Sequence, residues 1–105
     1  MPSQQQIEQF TLAFHRVAVA RLRQQPDLTQ QALRVLNRWE SSGATSAGQS
    51  YRDMWRSLLT GDVDALERAV CRDAEHAATL RSMSPLGFVL PEAERLRIRR
   101  EAMAL

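Results

Sequence analysis

The sequence predicts an all-α fold, a compact orthogonal bundle of five to six short helices, on three observations. Residues that lose little on entering a helix (Ala, Leu, Gln, Arg and Glu) dominate the composition. β-branched residues are sparse and never alternate over the length of a strand. Apolar residues recur at three- and four-residue spacing, which places them on one face of a helix. The 105 residues, 44% hydrophobic and 25% charged, suit a single domain over 1–105.

The first two helices have clear boundaries in the sequence. The first is expected from about Gln4 to Gln25, because Ser3 can cap it and Pro26 interrupts the pattern. The second is expected to run to about Glu40. Its start, residues 27–30, resembles a capping box in which Asp27 is the N-cap and Gln30 reaches back. The small, polar stretch 41–48 that follows predicts a loop.

Three further helices are expected before the first proline of the C-terminal part. The third helix is expected to start at Ser50 or a few residues earlier, because Ser50 to Asp53 resembles a second capping box, and Gly61 would end it in the left-handed conformation. Asp62 is placed to cap the fourth. A break is expected near residue 72, because Asp73 would otherwise fall on the buried stripe; Asp73 would then cap the fifth helix. A single long kinked helix is the alternative.

Pro91 suits the first position of a last helix, with acidic residues early and arginines late. The apolar stripes together predict a core made of Phe10, Phe14, Leu36, Trp39, Trp55, Leu58, Leu59, Leu66, Val70 and Leu80.

The composition also indicates in which cellular compartment the protein is expected. The single cysteine, Cys71, cannot form an internal disulfide and fits a reducing environment. No apolar run approaches the roughly 18–20 residues that span a bilayer, and residues 1–6 lack the pattern of a signal peptide. We therefore expect a cytoplasmic protein with no membrane contact.

The residues that usually carry catalysis form no recognisable constellation here. Cys71 and His76 lie five residues apart, so on one continuous helix they would face different directions, and His15 is expected beside the first apolar stripe, half-exposed. The carboxylates fall in first helical turns, where capping explains them. Zinc-site spacings, phosphate-binding loops and serine-nucleophile motifs do not occur. The prediction is a non-enzymatic protein with no metal, cofactor or small-molecule substrate.

Two surfaces are candidates for binding a macromolecule. All 14 basic residues are arginines, which suit recognition of carboxylate or phosphate, although the formal net charge is only +2. The corner at residues 24–27 resembles a helix-turn-helix within 21–40, whose second helix would expose side chains that read base edges. The candidate DNA-binding residues are Gln30, Gln31, Arg34, Asn37 and Arg38.

The second candidate is the C-terminal segment 84–105. Pro85 and Pro91 each force the preceding residue out of helical geometry, so the apolar stretch between them cannot be a regular helix. It either covers the core or presents an apolar strip to a partner or to a second copy of the chain. The arginine-rich helix after it could dock on an acidic groove. The candidate partner-binding residues are Pro85, Leu86, Phe88, Val89, Leu90, Arg95, Arg97, Arg99 and Arg100.

This segment also carries a resemblance. Residues 80–90, LRSMSPLGFVL, followed by Glu94-Arg95 and Ile98, resemble a motif of small, poorly characterised bacterial helical proteins. In that group the motif follows a tryptophan-containing helix like that of Trp55, and some members are antitoxin-like or other operon-partner proteins. Leu86 and Phe88 depart from the usual pattern. The resemblance covers about a fifth of the chain and implies a partner-binding protein, without a catalytic role for any residue.

Overall fold

The computed structural model describes residues 1–43 and 45–104, so Ala44 in the predicted loop and Leu105 in the predicted tail lie outside the described residues. Six α-helices occur in these two ranges: α1 (Gln4–Gln24), α2 (Asp27–Ser41), α3 (Gln49–Thr60), α4 (Val63–Val70), α5 (Glu75–Ser82) and α6 (Glu92–Met103). A 3₁₀ turn over Ser46–Gly48 leads into α3. The all-α fold class is confirmed. No described helix is both long enough and apolar enough to cross a bilayer.

Helix α1 is the centre of the bundle, because α2, α4, α5 and α6 all pack against it. It begins with the predicted Ser3 cap: the hydroxyl accepts from the Gln6 amide at 3.1 Å, and the Gln6 side chain accepts from the Ser3 amide at 2.9 Å. An ion pair fixes α6 to α1, since Nη2 of Arg21 lies 2.9 and 3.1 Å from the two carboxylate oxygens of Glu94.

The core is continuous and has Trp55 at its centre. The indole is fully buried, and its Nε1–H donates to the carbonyl oxygen of Leu80 at 2.9 Å, so α3 is tied to α5. Most of the predicted core is buried or partly buried. Trp39 is an exception, because 38% of it is exposed near the end of α2, beyond the part of that helix whose residues Ala32 and Leu36 are buried.

Several predicted helix ends are wrong in detail. Asp27 does not cap α2, because Pro26 is already in helical geometry and the carbonyls of Gln25 and Pro26 accept from the amides of Leu28 and Thr29. The Ser50 capping box is also absent. Helix α3 begins at Gln49, within the expected range, and Gly48 at the end of the 3₁₀ turn is its N-cap.

The later junctions include one cap that was predicted correctly and three predictions that are wrong in detail. Gly61 ends α3 with an extended backbone (φ −103°) rather than in the left-handed conformation, because the chain turns straight into the next cap. Asp62 caps α4 as predicted, accepting from the Asp64 amide at 3.2 Å. The predicted break after α4 is present, but Ala74 and not Asp73 is the N-cap of α5. Pro91 stands at the N-cap of α6, one position before the predicted one.

Candidate functional site

The proline-bounded segment 84–91 lies over the core. Pro85, Leu86, Val89 and Leu90 are all buried, and Leu86 has no exposed area. Local hydrogen bonds hold this irregular path: the Ser84 hydroxyl accepts from the Leu86 amide at 3.1 Å, and the Leu86 carbonyl accepts from the Val89 amide at 3.0 Å. The sequence left two alternatives open for this segment, and these four residues cover the core. Buried side chains cannot form the surface of an interface.

Phe88 is the one large apolar residue of the segment that remains exposed, with 40% of its surface free. It lies at the edge of a concavity of about 290 Å³ whose other lining residues, Gln31, Arg34, Val35 and Arg38, belong to α2. We call these five residues the Phe88 face. The structure thus joins residues from both candidate surfaces, because Phe88 came from the predicted partner-binding set and Gln31, Arg34 and Arg38 from the predicted DNA-binding set.

The remaining α2 candidates are placed less favourably for binding. Gln30 is exposed, but Asn37 accepts a hydrogen bond from Nη1 of Arg56 at 3.0 Å, and Glu40 forms an ion pair with the same guanidinium. These contacts join α2 to α3. One residue of the predicted base-reading set, Asn37, is therefore already engaged in a surface contact between α2 and α3.

The arginines of α6 are also divided. Arg95 turns inward: its guanidinium carbon lies 5.5 Å from the centroid of the Phe14 ring, and it donates to the carbonyl of Gly87. Cation–π geometry of this kind stabilises a partly buried charge. Arg97, Arg99 and Arg100 are exposed. The predicted four-arginine cluster is thus three exposed arginines and one that holds the proline-bounded segment in place.

The exposed arginines are not neutralised by contact. Within 1–43 and 45–104, no carboxylate lies within 4 Å of the guanidinium of Arg34, Arg38, Arg97, Arg99 or Arg100. Arg21, Arg23 and Arg56, by contrast, each form an ion pair. Among the described residues, Arg16, Arg68 and Arg72 are also exposed and without such a pair, so the unpaired positive charge that a partner would meet is spread over the surface and includes the Phe88 face and α6.

Sequence reasoning missed the most unusual residue, His15, which is only 4% exposed rather than half-exposed. Its ring lies between those of Phe14 and Trp55, with centroids at 5.5 and 6.2 Å. Burial and the nearby Arg81 charge lower the pKa of His15 to about 4, although the hydrogen bond with the Thr11 carbonyl opposes them. Only the packing of α3 and α5 beside α1 reveals this burial, so no sequence pattern could have found it.

Two buried arginines were not predicted either. Nη1 of Arg81 donates to the carbonyls of Val70 and Arg72 at 2.7 Å each, which satisfies the backbone where the chain breaks between α4 and α5. Arg52 donates to the Thr45 carbonyl at 2.7 Å and so fixes the 3₁₀ turn to α3. Both arginines donate to carbonyls near these junctions, whereas the serine and aspartate predicted there as N-caps would have accepted from amides.

The groups considered for catalysis lie apart from the Phe88 face. Burial raises the pKa of the Cys71 thiol, which favours its protonated form at neutral pH. His76 is exposed beside the ring of Tyr51, at a centroid distance of 6.4 Å. In the part of the chain that the structure describes, no three His, Cys, Asp or Glu side chains are grouped so that they could hold a metal ion.

Comparison with known proteins adds no relative: no family model, no curated protein and no solved structure matches the chain. The resemblance carried by residues 80–98 therefore stays a prediction, and the functional argument rests on the surfaces described above.

Proposed function

We propose that this chain is a non-enzymatic protein-interaction module, and that it binds its partner through the Phe88 face. One observation carries the proposal: an exposed aromatic ring lies beside two guanidinium groups, Arg34 and Arg38, that have no carboxylate partner among the described residues. Aromatic and arginine side chains supply most of the energy at protein interfaces. Exposing the Phe88 ring to water costs free energy, so a partner that covers the ring gains binding free energy.

The chemistry of this face defines the class of partner. Two positive charges beside one ring favour an acidic segment that carries a large apolar side chain. The concavity of about 290 Å³ accommodates one or two such side chains next to Phe88. An operon-partner protein of the antitoxin type, which the resemblance implies, would fit this description, and so would an acidic surface on a second copy of the chain.

Photo-crosslinking from the face itself tests this function. Phe88 is replaced by benzoylphenylalanine, and the chain is irradiated in cells of its source organism. Ile7, an exposed apolar residue of α1 that does not line this concavity, receives the same group as the control. We expect one discrete adduct from position 88 and none from position 7. Its mass separates a second copy from a different protein.

Charge reversal makes this test specific. Arg34→Glu with Arg38→Glu should abolish the adduct, because an acidic partner would then be repelled. Arg97→Glu with Arg100→Glu changes the net charge equally on α6 and should leave the adduct intact. The proposal is wrong if both double variants behave alike, or if positions 88 and 7 give the same adducts.

The exposure of Gln30, Arg34 and Arg38 along α2 favours a second candidate function, DNA binding by that helix. Gel shifts against genomic fragments at low salt, where phosphate contacts are strongest, test it. DNA binding would be lost in Arg34→Ala with Arg38→Ala and retained in Phe88→Ala. Protein binding would be weakened by both changes. Absence of any shift at low salt rules out the DNA-binding function.

A further inference from the structure

Unpartnered buried nitrogens are concentrated at one cavity that the proposed function does not use. Four buried side-chain nitrogens lack a hydrogen-bond partner within 1–43 and 45–104: His15 Nε2, Arg52 Nε, Arg81 Nε and Arg95 Nε. Three of the four belong to residues that line a cavity of about 170 Å³. Buried polar groups without partners are rare, because each has lost its hydrogen bonds to water and gained none from the protein. Residues that carry three of these nitrogens surround one space, which indicates a site for a polar occupant.

The two arginines at this cavity are held in place at their outer nitrogens. Nη1 of Arg81 is bound to the carbonyls of Val70 and Arg72, and Nη2 of Arg95 to the carbonyl of Gly87. Of the described carboxylates, none lies within 4 Å of either guanidinium. Two fixed positive charges therefore line the cavity without a counter-ion from the protein, and each has an Nε–H that remains to be donated.

The other lining residues determine which chemical groups the ligand can carry besides a negative charge. The Nδ1–H of His15 donates to the Thr11 carbonyl at 2.7 Å, so its Nε2 carries no proton and the ring is neutral at pH 7. The Ser84 hydroxyl accepts from the Leu86 amide and keeps its own proton to donate. Phe10 and Phe14 add two aromatic surfaces. The lining therefore combines two cationic donors and one acceptor, Nε2 of His15, with an apolar wall, and it contains no carboxylate.

We propose that this cavity binds a small monocarboxylate, with its carboxylate held by Arg81 and Arg95 and its short apolar body against Phe10 and Phe14. A planar guanidinium matches a planar carboxylate better than it matches a single point charge. The cavity is small, at about 170 Å³, which favours an acid of a few carbon atoms. Gly87, a lining residue, is exposed, so the cavity reaches solvent there.

Titration with defined acids, followed by the Nε–H signals of the arginines in proton–nitrogen NMR spectra, tests this site. Acetate and propionate are the ligands, and chloride and phosphate at equal ionic strength are the comparison anions. We expect saturable shifts of the Arg81 and Arg95 signals with the two carboxylates. Propionate should bind more tightly than acetate because it covers more of the aromatic wall.

Variants locate the binding. Arg95→Gln should weaken propionate binding at least tenfold, whereas Arg97→Gln, an exposed arginine of the same helix, should leave it within twofold. Because Arg95 also holds the proline-bounded segment, Phe10→Trp serves as a second variant: it fills the cavity without removing a charge and should also abolish saturation. Circular dichroism verifies that each variant is folded.

Three results would overturn the proposal. Shifts that stay linear with concentration, or equal affinity in the Arg95→Gln and Arg97→Gln variants, mean an adventitious ion only. Equal binding of phosphate or chloride means an unspecific anion site rather than a carboxylate site. These results leave the Phe88 face unaffected, because its crosslinking test uses neither the cavity residues nor an added acid.

Discussion

Lowering the pH from 7 to 4.5 tests the burial of His15, which α1 places between Phe14 and Trp55. Folding lowers the pKa of this imidazole from 6.5 to about 4, because the buried ring cannot be solvated as a cation and Arg81 repels its charge. Between these two values the unfolded chain binds more protons than the folded one. The stability contributed by neutral His15 is therefore complete above about pH 7 and is lost progressively as the pH falls.

The size of the loss follows from the two pKa values. Proton linkage gives a decrease in the free energy of unfolding of about 1.4 kcal/mol at pH 5.5 and about 2.5 kcal/mol at pH 4.5. Small domains have a total stability of about 5–15 kcal/mol, so this single residue would account for a large share of the acid sensitivity.

Urea unfolding followed by tryptophan fluorescence at pH 7, 5.5 and 4.5 measures this effect. His15→Phe keeps a ring of similar size and cannot titrate, so the difference between its pH profile and that of the parent isolates His15. His76→Gln removes the exposed histidine and serves as the control, with a profile that should follow the parent. Carboxylate-free buffers keep the cavity beside His15 unliganded.

The reasoning is refuted if the parent and His15→Phe lose stability in parallel between pH 7 and 4.5. Parallel profiles would mean that the imidazole is as easily protonated in the folded state as in the unfolded chain. If only the profile of His76→Gln differs from that of the parent, the acid sensitivity comes from His76 and not from His15.

Three further pairs of variants test contacts of the fold, each by urea unfolding at pH 7. Trp55→Phe should lower the free energy of unfolding by about 2 kcal/mol, because it leaves a void and removes the hydrogen bond to the Leu80 carbonyl. Trp39→Phe should lower it by less than about 0.5 kcal/mol. Asp62→Ala should cost about 1 kcal/mol by removing a cap, and Asp27→Ala, which removes none, under about 0.5 kcal/mol. Glu94→Gln should cost about 1 kcal/mol, less at high salt, by breaking the contact with Arg21, and Glu92→Gln clearly less. If the two variants of a pair lose the same free energy of unfolding, the contact that the pair tests does not stabilise the fold.

Local pattern alone determined the helices and most of their ends. The three- and four-residue spacing of apolar side chains, the prolines and the Ser3 and Asp62 caps act within one or two turns, so their outcome is legible in the sequence. At two of the wrongly predicted junctions a different residue is the N-cap, Gly48 before α3 and Ala74 before α5. A contact that no local pattern indicates lies at the second junction, where Arg81 reaches from α5 to the carbonyls left free at the end of α4.

Only the tertiary structure decided which candidate residues reach the surface. Residues 85–90 carry the same apolar pattern whether they cover a core or contact a partner, and the packing of the bundle beneath them buries all but Gly87 and Phe88. The burial of His15, the inward turn of Arg95 and the meeting of Phe88 with α2 depend on contacts between residues far apart in the chain. A periodic pattern indicates which face of a helix is apolar, but it does not indicate which neighbour covers that face.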